Sequence, residues 1–68
     1  MDHNEAMRKF EYLMGREADH AQETAIELEA LVSLLPRENA RQIARLEVTA
    51  CHARAKEFRE RAQRAKES

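Results

Sequence analysis

Residues 31–48 read Leu-Val-Ser-Leu-Leu-Pro-Arg-Glu-Asn-Ala-Arg-Gln-Ile-Ala-Arg-Leu-Glu-Val, and Pro36 within them decides the fold. Everything on either side is helix-forming. A proline pushes the residue before it out of the α region. It is also suited to the first turn of a following helix. The sequence therefore predicts one helix over about residues 3–35, a turn at 35–37, and a second helix over about 37–66. A connection this short makes the two arms antiparallel neighbours. The expected fold is all-α, a two-helix hairpin forming one domain over residues 1–68, with arms of roughly 45 Å at 1.5 Å per residue.

Working outward, Asp2 is a good N-cap for the first arm, and Glu5 stands three residues later at capping-box spacing. Gly15 is the one weak point, a candidate site for a kink or break in the first arm, costing about 1 kcal/mol against Ala. On that arm Met7, Met14, Ala21, Leu28 and Leu35 recur every seven residues, with Phe10, Thr24 and Leu31 in the partner position and Glu17 as the exception. On the second arm Ala44, Val48, Cys51, Ala55, Phe58, Ala62 and Ala65 alternate steps of four and three. Such spacing is a coiled-coil seam. Small residues occupy the middle of both arms, which lets helix axes approach closely.

Each arm carries a second apolar stripe. Ile43, Leu46, Ala50 and Ala53 lie nearly opposite the second arm's seam, and Tyr12, Ile26, Ala30 and Leu34 lie away from the first arm's seam. One partner arm cannot cover two opposite faces. A chain of 68 residues with one Cys has no disulfide framework to support a small core, so self-association is the expected route to stability. The residues assigned to an oligomer or partner interface are Ile43, Leu46, Ala50, Ala53, Phe58 and Phe10.

The net charge of -1 conceals a split between the arms. Residues 1–35 hold three basic and eight acidic groups, and residues 36–68 hold nine basic and five acidic. Arg37, Arg41, Arg45, His52, Lys56 and Arg59 share one sector of the second arm, where Glu38 is the only acid. Arg37, Arg41 and Arg45 repel at i,i+4 spacing and sit near a helix N-terminus, where anions are favoured and cations are not. Either an anion such as phosphate or carboxylate is held there, or acids of the first arm or of a neighbouring copy neutralise the cluster.

Catalytic signatures are missing. A single Gly excludes a Gly-rich phosphate loop and a nucleophile elbow. Cys51 and His52 are adjacent and point about 100° apart on a helix, so they do not chelate one ion together. The expectation is a protein that is not an enzyme and needs no cofactor or metal. A slightly acidic chain with one Tyr does not favour a nucleic-acid polymer as partner. No apolar run is long enough to span a membrane, and the acidic start does not read as a secretory signal, so a cytoplasmic location is expected.

The second arm resembles the small helical-hairpin sponge proteins that phages use against cyclic-oligonucleotide defence signalling, the anti-CBASS sponges. In that family a Pro-containing turn precedes Arg-Glu, followed by Leu-Glu and then by an Ala after a Trp. Here Pro36 precedes Arg37-Glu38, Leu46-Glu47 follows, and then Cys51-His52-Ala53. His52 stands where the family usually has Trp, and Ala44 where it usually has Thr. The resemblance implies a phage-type inhibitor, acting in the host cytoplasm, that assembles with itself and sequesters cyclic di- or trinucleotides between subunits without cleaving them. It places Arg37 near a phosphate. On chemical grounds Arg41 and Arg45 add charge, and Tyr12, Arg8 and Lys9 of the first arm supply a stacking ring and further cations. The competing expectation is a homodimeric helical adaptor that blocks a host regulatory protein through the stripe of Ile43, Leu46, Ala50 and Ala53.

Overall fold

A computed structural model describes residues 1–67. It contains two α-helices, α1 (His3–Val32) and α2 (Glu38–Glu67), of 30 residues each. The molecule is a rod of 52 × 17 × 12 Å. Its radius of gyration is 15.8 Å, well above the roughly 11 Å of a sphere-like domain this long.

Asp2 starts α1 as the sequence predicts. Its extended backbone turns the chain in, and its carboxylate accepts from the Glu5 N–H at 2.7 Å. The helix runs unbroken through Gly15, so the break considered there does not occur. It ends at Val32, earlier than the expected 35, because the chain tightens first. Leu34 N–H donates to the Leu31 carbonyl at 2.9 Å, and Leu35 N–H to the same carbonyl at 3.1 Å. The link therefore spans residues 33–37. Arg37 holds the cap position of α2, its carbonyl accepting from the Arg41 N–H at 3.1 Å.

The seam on α2 is the predicted one. Ala44, Cys51 and Ala55 are buried, and Val48, Phe58, Ala62 and Ala65 are half-buried. The seam on α1 differs from expectation by one residue. Its partner position is not Phe10, Glu17, Thr24 and Leu31 but the next residue along, with Ala18 and Ala25 fully buried and Glu11 and Val32 half-buried. The α1 seam is thus Met7, Glu11, Met14, Ala18, Ala21, Ala25, Leu28, Val32 and Leu35, in unbroken alternating steps of four and three. Phe10 and Leu31 look like better seam residues by hydrophobicity. The close approach of the two axes selects alanine instead, because a bulky side chain at mid-seam would hold the helices apart.

The result is a core of small side chains. Among the described residues, all six that are buried are alanines except Cys51. Burying an alanine methyl contributes about 0.8 kcal/mol, against roughly 1.5–3 for a Leu or Ile side chain. Several larger apolar side chains are outside: Ile43 is 54% exposed, Leu46 69% and Leu34 75%. Others are half-buried in the seam, Phe58 among them. It packs against Ala18, Ala21 and Ala55 in the seam, which removes it from the outer interface to which the sequence assigned it. Phe10 stays half out, at the edge of the seam.

Polar contacts between the arms set their register. Arg59 reaches Asp19 at 3.4 Å and Gln22 at 2.8 Å, His52 meets Glu29 at 3.4 Å, and Lys66 meets Glu11 at 3.5 Å. All are solvent-facing, so each is worth about 0–1 kcal/mol. Their larger effect is to favour one alignment of an acidic arm on a basic one.

Candidate functional site

The basic sector of α2 lies on a continuous face but is not a bare cluster of cations. Glu38 stands between Arg41 and Arg45. One Glu38 oxygen accepts from Arg41 Nη2 at 2.7 Å and from Nε at 3.2 Å, a two-pronged contact. The other lies 3.7 Å from Arg45 Nη1. The remaining arm of the Arg41 guanidinium, Nη1, donates to the Leu35 carbonyl at 2.7 Å. Hydrogen bonding to Arg41, and then its charge, hold the Glu38 carboxyl below its ordinary value of 4.5. Arg41 therefore fastens the start of α2 to the link that follows α1.

Further along the sector, side chains of α1 meet the basic groups. Arg59 is paired with Asp19 and His52 is in contact with Glu29, while Lys56 meets Glu60 on its own helix at 3.9 Å. Of the six basic groups in the sector, Arg37 differs. Its guanidinium is exposed and has no side-chain partner among the described residues. It sits at the cap of α2, where the first N–H groups lack acceptors from their own helix. A cation there is unfavourable to the helix and leaves room for an anion.

Arg8, Lys9 and Tyr12 are also exposed, with no side-chain partner among the described residues. They lie on the first turns of α1, at the end of the rod where Glu11 meets Lys66. From Tyr12 to Val32 is about 30 Å along the axis, and Arg37 lies beyond that. The structure thus divides the six candidate ligand residues into three groups. Arg41 and Arg45 are occupied by Glu38, Arg37 is free at the link, and Arg8, Lys9 and Tyr12 are free at the opposite end. One chain does not bring the last two groups together.

The interface candidates Ile43, Leu46, Ala50 and Ala53 stay together on the outward side of α2. Leu46 is two residues from both Ala44 and Val48, and Ala53 two from both Cys51 and Ala55, so these two point away from the seam, whereas Ala50, next to Cys51, is half-buried at its edge. A shallow groove of about 310 Å³ between the arms is lined by Glu29, Val32, Arg45 and Val48, and its charged rims are tied to His52 and Glu38. Cys51 is a free, buried thiol whose sulfur accepts from Arg54 Nη2 at 3.1 Å. No group of three or more metal-ligating side chains occurs among the described residues, and no described helix is long and apolar enough to cross a membrane.

The role of Arg41 is what sequence reasoning missed. Its position three residues before Ala44 continues the seam spacing, so it belongs to the half-buried side of α2 as well as to the basic sector. That spacing was the available signal. Compared with known proteins, the chain matches no protein family, no curated protein and no solved structure.

Proposed function

We propose that this chain is a non-enzymatic binding protein that assembles with itself and sequesters a cyclic di- or trinucleotide between copies, a phage-type inhibitor of signalling. The observation that carries this reading is the free state of Arg37, at the cap of α2, together with that of Arg8, Lys9 and Tyr12. These are three cations and a stacking ring, the groups that phosphates and a base require. They stand at opposite ends of the rod, so a site containing both would draw on two copies. The likeness of Pro36-Arg37-Glu38 and Leu46-Glu47 to the sponge proteins points the same way.

Thermal unfolding with added cyclic di- and trinucleotides tests it. A ligand at about 100 times its Kd stabilises by roughly 2.7 kcal/mol, a rise in Tm on the order of 10 °C for a domain this small. Arg37→Ala should remove the rise and leave the assembly mass unchanged. An unchanged Tm across the whole set would overturn the reading.

A second reading rests on the outer stripe of Ile43, Leu46 and Ala53, which are exposed, with the half-buried Ala50 at its edge. Through it the chain would act as an adaptor that blocks a host regulatory protein. Capture of one host protein, abolished by Leu46→Glu without loss of helicity, is its expected signature.

A further inference from the structure

The core of the hairpin is inverted in size. Alanines and one cysteine are buried, while Ile43 and Leu46 are exposed. A chain under about 70 residues gains little from one core even when that core is made of large side chains. Whatever covers the large ones has to be present whenever the chain is folded. A second copy meets that condition without any other partner.

Charge narrows the choice further. The line on α2 that points away from the seam recurs every seven residues as Asn39, Leu46, Ala53, Glu60 and Glu67. Its first half is neutral and its second half acidic. Beside Leu46 the outward positions are Gln42, Ile43 and Thr49, with the half-buried Ala50 at their edge, again without charge, and the Thr49 hydroxyl is turned back onto the Arg45 carbonyl at 3.3 Å. In a chain with 37% charged residues, an uncharged strip over four turns, bordered by Arg45 and Glu47, stands out. The equivalent outward line of α1, with Lys9, Arg16 and Glu23, is charged. A two-fold axis sets a surface against itself, so any charge near the axis would meet its own like. A patch recognising an acidic or basic partner would carry the opposite sign, and this one carries neither.

We infer that the Asn39–Ala53 side of α2 is a self-complementary surface that packs on the same surface of a second copy, with the two-fold axis passing close to Leu46. Leu46 is the midpoint of the neutral stretch, so an antiparallel pair about that point covers Ile43 and Leu46 of both copies and leaves Glu60 and Glu67 in water. This goes beyond the ligand reading and does not depend on it. The pairing would not itself join the Arg8–Tyr12 end of one copy to Arg37 of another.

The test uses the full chain without nucleotide. Light scattering should give about twice 7.9 kDa. In a Cys51→Ala background, Leu46→Cys should be joined to its counterpart by a short bis-maleimide in most of the molecules. Ile26→Cys, exposed on α1, should cross-link at least tenfold more slowly. Leu46→Glu and Leu46→Lys should each run as monomers, and mixing them should restore the dimer. This third measurement stands even if the cysteine variants fold poorly. A wild-type mass of one chain overturns the inference. So does a dimer whose position-46 cysteines fail to react with each other, or one that the mixed charge variants do not rebuild. A chain that is a monomer alone, but whose Tm rises and whose copies come together when a cyclic nucleotide is added, would defeat this inference and leave the ligand reading standing. A dimer indifferent to every nucleotide would do the reverse.

Discussion

Arg41 Nη1 donates to the Leu35 carbonyl oxygen at 2.7 Å, across a link that leaves helical geometry on one side and resumes it on the other. Leu35, in the link, continues the seam spacing of α1 and is half-buried, and Arg41 stands one step before the first buried residue of α2. The bond therefore closes the hairpin where the seam begins. Arg41→Ala should lower stability by about 1.5–3 kcal/mol, the usual worth of a hydrogen bond to a charged group. Arg41→Lys should recover only part of this, since an ammonium lacks the planar fork that reaches Leu35 and Glu38 together. Chemical denaturation followed by circular dichroism measures both.

Glu38 links this clasp to pH. Its carboxyl titrates below the ordinary 4.5 because it accepts hydrogen bonds from Arg41 and lies in the field of that guanidinium. A group depressed in the folded state contributes stability above its unfolded value and loses it as pH falls through the folded one. The Tm of the wild type should therefore exceed that of Glu38→Gln at neutral pH. The gap should close as the pH falls through and below 4.5. A gap that persists at pH 2 would show that the contribution of Glu38 is not ionic.

The register of α1 is open to a paired substitution. Ala18 is fully buried against the other arm, whereas Glu17 faces solvent. Ala18→Leu should cost about 1–3 kcal/mol through overpacking. Glu17→Leu, the same addition of bulk one residue earlier, should stay within about 0.5 kcal/mol of wild type. Equal losses at the two sites would contradict the observed seam.

Gly15 lies inside an uninterrupted helix, and a Cβ placed there meets nothing within 4 Å. Gly15→Ala should stabilise the fold by about 1 kcal/mol through helix propensity alone. The gain should appear in the denaturation midpoint, with the m-value unchanged.

Much of this architecture was legible in the sequence, and the failures have a common physical source. Pro36 located the link, Asp2 the start of α1, and the spacing from Ala44 to Ala65 the apolar part of the α2 seam. On α1 the reading favoured Phe10 and Leu31 over Ala18 and Ala25 because periodicity weighted by hydrophobicity assumes that large side chains go inside. Axial closeness reverses that rule here, and closeness belongs to the pair of helices, not to either sequence alone. Phe58 reverses it again: among so many alanines, there is room for one ring. At the candidate site, the cluster of arginines was visible as charge. Charge spacing does not show that Arg41 faces half inward, or that Glu38 occupies both Arg41 and Arg45. The distance between Tyr12 and Arg37 followed from the antiparallel topology already expected, once the candidate residues were placed on it.

The two arms are of equal length, 30 residues each, and run antiparallel, which gives the rod distinct poles. Both free ends point to one of them, where Lys66 meets Glu11 and α1 continues about two turns further to His3, so any segment or tag joined to either terminus hangs from that pole. The other pole is a closed loop of five residues bearing Arg37, with no chain end near it. A bulky fusion at either terminus would thus crowd Arg8, Lys9 and Tyr12 while leaving the loop about 45 Å away in open water. Tethering the hairpin by one end and then by the other is not an alternative geometry for this molecule. Both place the same loop outermost.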